Sequence, residues 1–340
     1  MRKFMIVGAG RSGRGFIARL LHKYDEIVFA DRDEELINRL NNEGSFSISY
    51  FSDRPADTMS SFRAYSTKDP ALKDELYSCD CIFVSVGSKN VPSALIWLDS
   101  LHVPEDKHIY VCENGIFSTD ELPVLKKSCS LGLIFCSTTT DSGLDIQSED
   151  MDTLYLDDSF KDGNLNGIRE LVFKEDFPSL IRRKIYTYNA ASAIIGFIGK
   201  DKGYEYLGDA ASDPYIHSLL DRFYSSINRC ICAEYHVEPL EQQSFSELSW
   251  KKFSNTSIAD PIDRNIRDPG NKLLPSERLI GPLRLLLRYG EDIGPVAVTI
   301  ASASRMTGEV NDSRSFEKLM KELCQLDSET IEKLLPYFVQ

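Results

Sequence analysis

The sequence predicts an α/β N-terminal domain, built on a doubly wound and mostly parallel sheet, followed by a mostly α-helical C-terminal domain. Three observations predict it. Short apolar runs alternate with amphipathic stretches through the first half of the chain. A glycine-rich turn directly follows the first of those runs. From about Lys184 onward, long stretches carry the 3.6-residue period with few strand signals between them. A chain of 340 residues exceeds what one core usually supports, so the boundary is placed at about residue 180, giving domains 1–180 and 181–340.

The elements follow in order. Phe4–Val7, Ile27–Ala30, Cys81–Val86, Ile109–Cys112 and Leu133–Cys136 are near-continuous apolar runs, as expected of parallel strands buried on both faces. Gly13–Lys23, Glu34–Asn41 and Pro92–Leu101 read as the intervening helices, and Ser118 with Glu121 forms a capping box opening another, to about Lys127. The Ser-, Asp- and Arg-rich stretch 44–68 reads as a hairpin inserted after the second helix. Thr153–Leu156 and Arg169–Phe173 read as strands extending the sheet. Beyond these, Asn189–Lys200, Tyr215–Tyr235, Leu240–Lys251, Ser276–Tyr289, Val296–Met306 and Ser315–Leu326 read as helices. Asp260–Pro275, rich in Pro, Asp, Arg and Asn, reads as a loop.

Composition narrows the class of partner. Hydrophobic residues make up 42% and charged residues 27%, as in a water-soluble globular protein. No apolar run reaches the roughly 18–20 residues that a membrane span needs. The basic start Met1-Arg2-Lys3 is followed by an apolar stretch that stops at Gly8-Ala9-Gly10-Arg11, too short for a secretory signal, so a cytoplasmic protein is expected. A net charge of -13 argues against nucleic acid or an anionic membrane as the main partner. The eight cysteines form no C-x-x-C pair, and two C-x-C pairs lie in apolar segments, as reduced core thiols would. The five histidines show no ligand spacing, so no metal is expected. Oligomeric state is not legible in the sequence.

Gly8-Ala9-Gly10-Arg11-Ser12-Gly13 matches G-x-G-x-x-G between a strand and a helix. Gly8 permits the tight turn, Gly10 lets a pyrophosphate approach the backbone, and Gly13 lets helix and strand pack closely, which is the Rossmann arrangement. The helix start, with Arg11 and Ser12, adds free N–H groups and a partial positive charge. Asp31 closes the second strand 18 residues beyond Gly13, where a carboxylate binds a ribose hydroxyl pair. It favours NAD and repels the 2′-phosphate of NADP, although Arg32 beside it softens the preference. Gly87, ending the strand at Cys81–Val86, would let the backbone run beneath the cofactor. The alternative is a turn that serves backbone geometry alone, with Asp31 a solvated strand end.

The segment Arg182-Arg183-Lys184-Ile185-Tyr186-Thr187-Tyr188-Asn189-Ala190-Ala191-Ser192 resembles the K-x4-N-x2-H signature of the polyol-specific long-chain dehydrogenases, the mannitol dehydrogenase family, and most of all their polyol-phosphate branch. Lys184 and Asn189 stand at the lysine and asparagine positions, and Ser192 stands where the family has histidine. Gly8 through Ile17 is similar to the family's G-x-G-x-x-G-R-G-F-I. Cys112-Glu113-Asn114, Lys252-Phe253-Ser254-Asn255, Asp263-Arg264 with Arg267, and Arg278 through Leu283 match further segments in order, up to about Gly290.

The resemblance implies a metal-independent, NAD-dependent oxidoreductase that interconverts a sugar phosphate and a polyol phosphate. Lys184 would be the general acid/base, and Asn114 and Asn189 would hold the oxyanion. The chemistry is consistent: without a metal, a desolvated lysine beside cations such as Arg182 and Arg183 has its pKa pushed toward neutrality, and asparagine amides stabilise an alkoxide. A solvated lysine at a helix start is the alternative. At the histidine position Ser192 offers a shorter group that takes no full positive charge, and Asp141-Ser142 departs from the relatives' Asp-Arg. Asn255, Arg264, Arg267 and Lys272, with Arg278 just beyond, are candidate substrate and phosphate contacts; a solvated basic loop is the other reading. The competing functions are a dehydrogenase of a non-phosphorylated polyol or hexuronate, and a catalytically weakened NAD-binding sensor.

Overall fold

The computed structural model describes residues 1–113, 129–140, 143–159 and 163–339. Twelve strands appear among them: β1 (Lys3–Val7), β2 (Glu26–Asp31), β3 (Ser45–Tyr50), β4 (Asp57–Ser60), β5 (Phe62–Ser66), β6 (Cys81–Val84), β7 (His108–Cys112), β8 (Cys129–Leu133), β9 (Thr138–Thr139), β10 (Ile146–Ser148), β11 (Leu154–Asp157) and β12 (Leu171–Lys174). The chain divides into two compact units, Met1–Phe177 and Pro178–Gln340.

In the N-terminal unit an eight-stranded sheet runs in the order β12-β11-β8-β7-β6-β1-β2-β5. The six strands from β5 to β8 are parallel, and β11 adds antiparallel to β8. Counting only those six, the order is 3-2-1-4-5-6, the doubly wound arrangement, and it reverses between β1 and β6. The period-2 alternation of the strands feeds two cores. Phe4, Ile6, Phe29 and Phe83 face one side, with Phe16, Leu20 and Leu21 of the first helix. Met5, Val7, Val28, Ile82 and Val84 face the other, with Leu72, Leu76, Leu95 and Leu98.

The first helix opens with a widened turn, Gly13–Ala18, and continues as α1 (Arg19–His22); α2 (Glu34–Glu43), α3 (Leu72–Ser78) and α4 (Val91–Ser100) follow. Asp33 caps α2 by accepting the Leu36 N–H, and Gly44 ends it in the left-handed region at φ 67°. A second, four-stranded sheet has the order β4-β3-β10-β9.

Several sequence expectations shift here. The hairpin in 44–68 is real, with Ser45 opposite Ser60, but the end of that stretch, β5, is the third parallel strand of the main sheet. Its Arg63 and Ser66 hid it, because an edge strand tolerates polar residues. The run at Leu133–Cys136 meets the strand only at Leu133; β8 begins four residues earlier. There Ser130 spends its hydroxyl on the buried His108 Nε2, 3.0 Å away, so a polar residue fits a buried strand. The expected helix from Ser118 to about Lys127 lies outside the described residues.

The C-terminal unit is helical. After α5 (Phe177–Lys184) come a widened turn, Ile185–Asn189, and α6 (Ala190–Asp201), then α7 (Leu207–Ala211), α8 (Pro214–Tyr235) and α9 (Pro239–Phe253). The rest are α10 (Ile262–Ile266), α11 (Pro269–Lys272), α12 (Ile280–Tyr289), α13 (Gly294–Arg305), α14 (Ser313–Glu322) and α15 (Ser328–Val339). The stretch Asp260–Pro275 is thus not all loop: it holds two short helices. Pro261 and Pro269 fix φ at their starts. The helix expected from Ser276 begins only at Ile280. α3, α5, α7 and α15 were not expected, three of them because they are short. α6 is apolar on every side, buried from Ala190 to Gly199, and forms the centre of the unit. No helix among the described residues is long and apolar enough to cross a membrane.

Gly281, within the Arg278–Leu283 segment, packs against the Tyr186 ring, and a Cβ there would overlap it. Tyr186 is itself buried in the widened turn, so it has little room to yield. Gly281→Ala is therefore expected to destabilise the protein by about 1–3 kcal/mol, measured as a lowered denaturant midpoint. An unchanged midpoint would show that the ring moves freely.

Candidate functional site

In the N-terminal unit, the carboxyl ends of the parallel strands converge on a cleft of about 730 Å³. Val7 closes β1, Asp31 closes β2, Thr67 follows β5, Ser85–Gly87 follow β6 and Glu113 follows β7; all line the cleft. This is where doubly wound folds bind ligands, at the switch in strand order.

The glycine loop is shaped by contact rather than by flexibility. Gly8 has φ +103°, and a Cβ on it would overlap the Ser85 carbonyl; one on Gly13 would overlap the Gly8 carbonyl. Gly10 is different: nothing lies within 4 Å of where its Cβ would be, and it borders the cleft. That open face is the cradle a pyrophosphate fills, so the residues fit a dinucleotide.

Of the residues expected at the cofactor, Gly8, Gly10, Arg11, Ser12, Asp31 and Gly87 line the cleft. Ala9 and Gly13 do not, and they serve the loop instead. The Ala9 N–H donates to Asp31 Oδ2 at 2.7 Å, while Oδ1 accepts the Asp33 N–H at 3.0 Å. The carboxylate is thereby fixed at the strand end, with lone pairs remaining for a hydroxyl pair. Arg32 is exposed at the rim of the same cleft.

Two contributors were missed. Arg14 is 3% exposed; its Nε donates to the Ala9 carbonyl at 2.7 Å, another nitrogen donates to the Leu144 carbonyl, and its guanidinium lies 5.3 Å from the Phe46 ring centre. Burial pulls its pKa down, yet at about 10 it is still charged at neutral pH. The signal was present, a lone cation heading the apolar run Gly15–Ala18. Glu113 is the second: its Oε1 accepts the Gly87 N–H at 2.6 Å, tying the ends of β6 and β7 together. No sequence rule marks such a cross-strand contact.

In the C-terminal unit Lys184 is the last residue of α5, not the start of a helix, and it is only 5% exposed. The chain continues helically through Ile185–Asn189, but that turn is widened. The Ala190 N–H donates to the Ile185 carbonyl five residues back. On a regular α-helix residues five apart lie about 140° apart, on different faces; with i→i+5 bonding they come round to the same face. The widened turn thus brings half-buried Asn189 toward the side of the helix that carries Lys184.

Other expected residues are placed as follows. Ser192, 7% exposed, donates to the Asn189 carbonyl at 3.0 Å, so its hydroxyl turns back on its own helix. Arg183 is engaged by Glu241 at 2.8 Å and Gln242 at 3.0 Å, whereas Arg182 is exposed. Asn255 is exposed just after α9 and accepts the Ser257 N–H. Arg264 is held by Asp260, with Nε at 2.9 Å. Lys272 is buried and donates to the Arg267 carbonyl, bracing the loop across Asp268, which sits at φ +55°. Asn114, Asp141 and Ser142 lie outside the described residues.

Residues 4–159 match the family model described as ketopantoate reductase PanE/ApbA, and residues 176–333 match the mannitol dehydrogenase C-terminal domain. Together with the cleft, these matches define a Rossmann-type protein carrying an appended helical domain. Within that class, the chain is similar to the mannitol dehydrogenase family, whose C-terminal domain its helical unit matches. The mannitol-1-phosphate 5-dehydrogenase of Paenarthrobacter aurescens (strain TC1) is 29% identical, over 97% of this chain and 94% of that one. The enzyme of the same name from Clostridium acetobutylicum is 27% identical over 88% and 85%. Among solved structures, Pseudomonas fluorescens mannitol 2-dehydrogenase, in ternary complex with NAD and D-mannitol, shares the fold. Its TM-score is 0.77 at 13% identity, over 99% of this chain and 90% of that one. Substrate-free D-sorbitol dehydrogenase shares it too, at 0.75 and 15% identity, over 99% and 92%.

Two measurements test these assignments. Arg14→Met keeps an unbranched apolar stem but removes both carbonyl contacts, to Ala9 and to Leu144. It is expected to weaken dinucleotide binding about tenfold or more by fluorescence titration; unaltered affinity would mean the loop holds without it. Burial beside Arg278 lowers the Lys272 pKa to about 8 from 10.5. Between pH 8 and 10.5 the unfolded chain then binds more protons than the folded one, so stability rises with pH. Relative to Lys272→Met, the wild type should gain in melting temperature across that window, and a constant difference would count against the buried ammonium.

Proposed function

We propose that this protein is an NAD-dependent oxidoreductase interconverting a sugar phosphate and a polyol phosphate, with Lys184 as a metal-independent general acid/base. The observation that carries the reading is the burial of Lys184 where the helix enters a widened turn, whose geometry turns Asn189 toward the same side. It is supported by near full-length relatives named mannitol-1-phosphate 5-dehydrogenase. NAD is favoured over NADP because Asp31 presents a fixed negative charge where a 2′-phosphate would sit.

The bound nicotinamide supplies the hydride acceptor for the substrate's CH–OH carbon. The chain's own residues do the rest. Lys184 takes the hydroxyl proton at Nζ during oxidation and returns it during reduction. The Asn189 side-chain N–H groups, with those of Asn114, donate to the substrate oxygen as charge develops on it. Ser192 turns its hydroxyl onto the helix, so the substrate hydroxyl met by histidine in the relatives is left to other groups here. Arg264 and Arg267 are the proposed phosphate contacts, with Lys272 fixing the Arg267 backbone from beneath and Asn255 a further substrate contact.

The reading predicts oxidation of NADH, not NADPH, in the presence of one member of a panel of sugar phosphates and free ketoses. Lys184→Ala should lower kcat by about 10²–10⁴-fold without loss of NADH binding. The double variant Arg264→Ala with Arg267→Ala should raise KM for the sugar phosphate about tenfold or more and leave a free polyol little affected. Equal effects on both would remove the phosphate assignment. NADH binding with no turnover on any substrate would favour a sensor.

A further inference from the structure

We infer that Thr187 and Gln242 are positioning residues that hold Lys184 and Asn189 on one face; this rests on the proposed role of that pair. Thr187 is the middle residue of the widened turn and is fully buried. Gln242, on α9, is fully buried as well. Its Nε2 donates to Thr187 Oγ1 at 3.1 Å and to Asn228 Oδ1 at 3.0 Å, and its Oε1 accepts from Arg183 Nε at 3.0 Å. A guanidinium only donates, so Arg183 fixes which end of the Gln242 amide is oxygen and aims both N–H groups at Thr187 and Asn228.

The surrounding groups leave that amide no freedom. Arg183 is anchored by Glu241 at 2.8 Å and lies 4.7 Å from the Phe245 ring centre, while Asn228 Nδ2 donates to Ser246 Oγ at 2.9 Å. The network therefore grips the helix on both sides of the turn's start, at Arg183 before Lys184 and at Thr187 after it. A buried amide whose partner is lost carries the desolvation cost of an unmet N–H, about 1–3 kcal/mol. The network accordingly favours the turn that offers the Thr187 hydroxyl to Gln242. That is the widened turn, whose i→i+5 bond turns Asn189 toward the side of Lys184.

The test uses the full chain with Thr187→Val, which keeps shape and removes the hydroxyl, Thr187→Ser, which keeps the hydroxyl, and Gln242→Glu, which keeps the Arg183 acceptor and loses both N–H donors. Thr187→Val and Gln242→Glu should each lower kcat by about 10²-fold with KM for sugar and for NADH within about twofold. Thr187→Ser should restore turnover, and the Thr187→Val/Gln242→Glu double variant should be no slower than either single variant. The crystal structure of Thr187→Val should lack the Ala190 to Ile185 hydrogen bond. Unchanged kcat in Thr187→Val, or a turn that survives intact in its crystal structure, overturns the inference. Lys184→Ala run alongside separates the two claims: if it is fully active the catalytic reading fails, while the turn in Thr187→Val still decides the clamp.

Discussion

The widened turn at Ile185–Asn189, which ends with the Ala190 N–H donating to the Ile185 carbonyl, sets how the helix that opens the C-terminal unit continues. The helix from Phe177 to Asp201 is continuous, yet its middle closes i→i+5 hydrogen bonds where an α-helix closes i→i+4. Everything downstream is rotated accordingly, which turns Asn189 toward the side of Lys184. Because α6 is buried on all sides, that rotation is locked by core packing as well as by hydrogen bonds. Gly281 completes the enclosure by letting α12 approach the Tyr186 ring.

The N-terminal unit solves a related problem by other means. A loop that must present backbone N–H groups to a ligand cannot satisfy all of them internally, so its remaining polar groups have to be pinned. Ala9 shows how: its N–H is held by Asp31 and its carbonyl by Arg14. The carboxylate that would read the ribose thus also sets the loop, and a charged residue with almost no exposure stiffens it from behind. Burying Arg14 is costly, and the cost is offset by two carbonyl acceptors and the Phe46 ring.

Charge distribution follows the same logic. The protein is strongly acidic overall, yet Arg264, Arg267, Lys272 and Arg278 gather in one stretch after α9. There the most buried of them, Lys272, serves the backbone rather than solvent. Ser192 illustrates the converse: a polar residue at a position of chemical interest whose hydroxyl is satisfied within its own helix.

The sequence by itself determined the alternation of strands and helices, the glycine loop and its acid, the helical character of the second half, and the lysine–asparagine motif. Each of these is a local pattern, written in periodicity or fixed spacing, and the family resemblance rested on the same patterns. Tertiary structure alone decided the rest. β5 joined the main sheet because an edge position accepts Arg63 and Ser66, and β8 settled on Cys129–Leu133 because Ser130 found His108 across the sheet. Arg14 and Glu113 acquired their roles from carbonyls and N–H groups distant in sequence, at Leu144 and Gly87. The widened turn, finally, depends on α9 meeting Thr187 through Gln242, 55 residues further along. No local pattern records such a contact, since its free energy comes from burying groups that only the folded chain brings together.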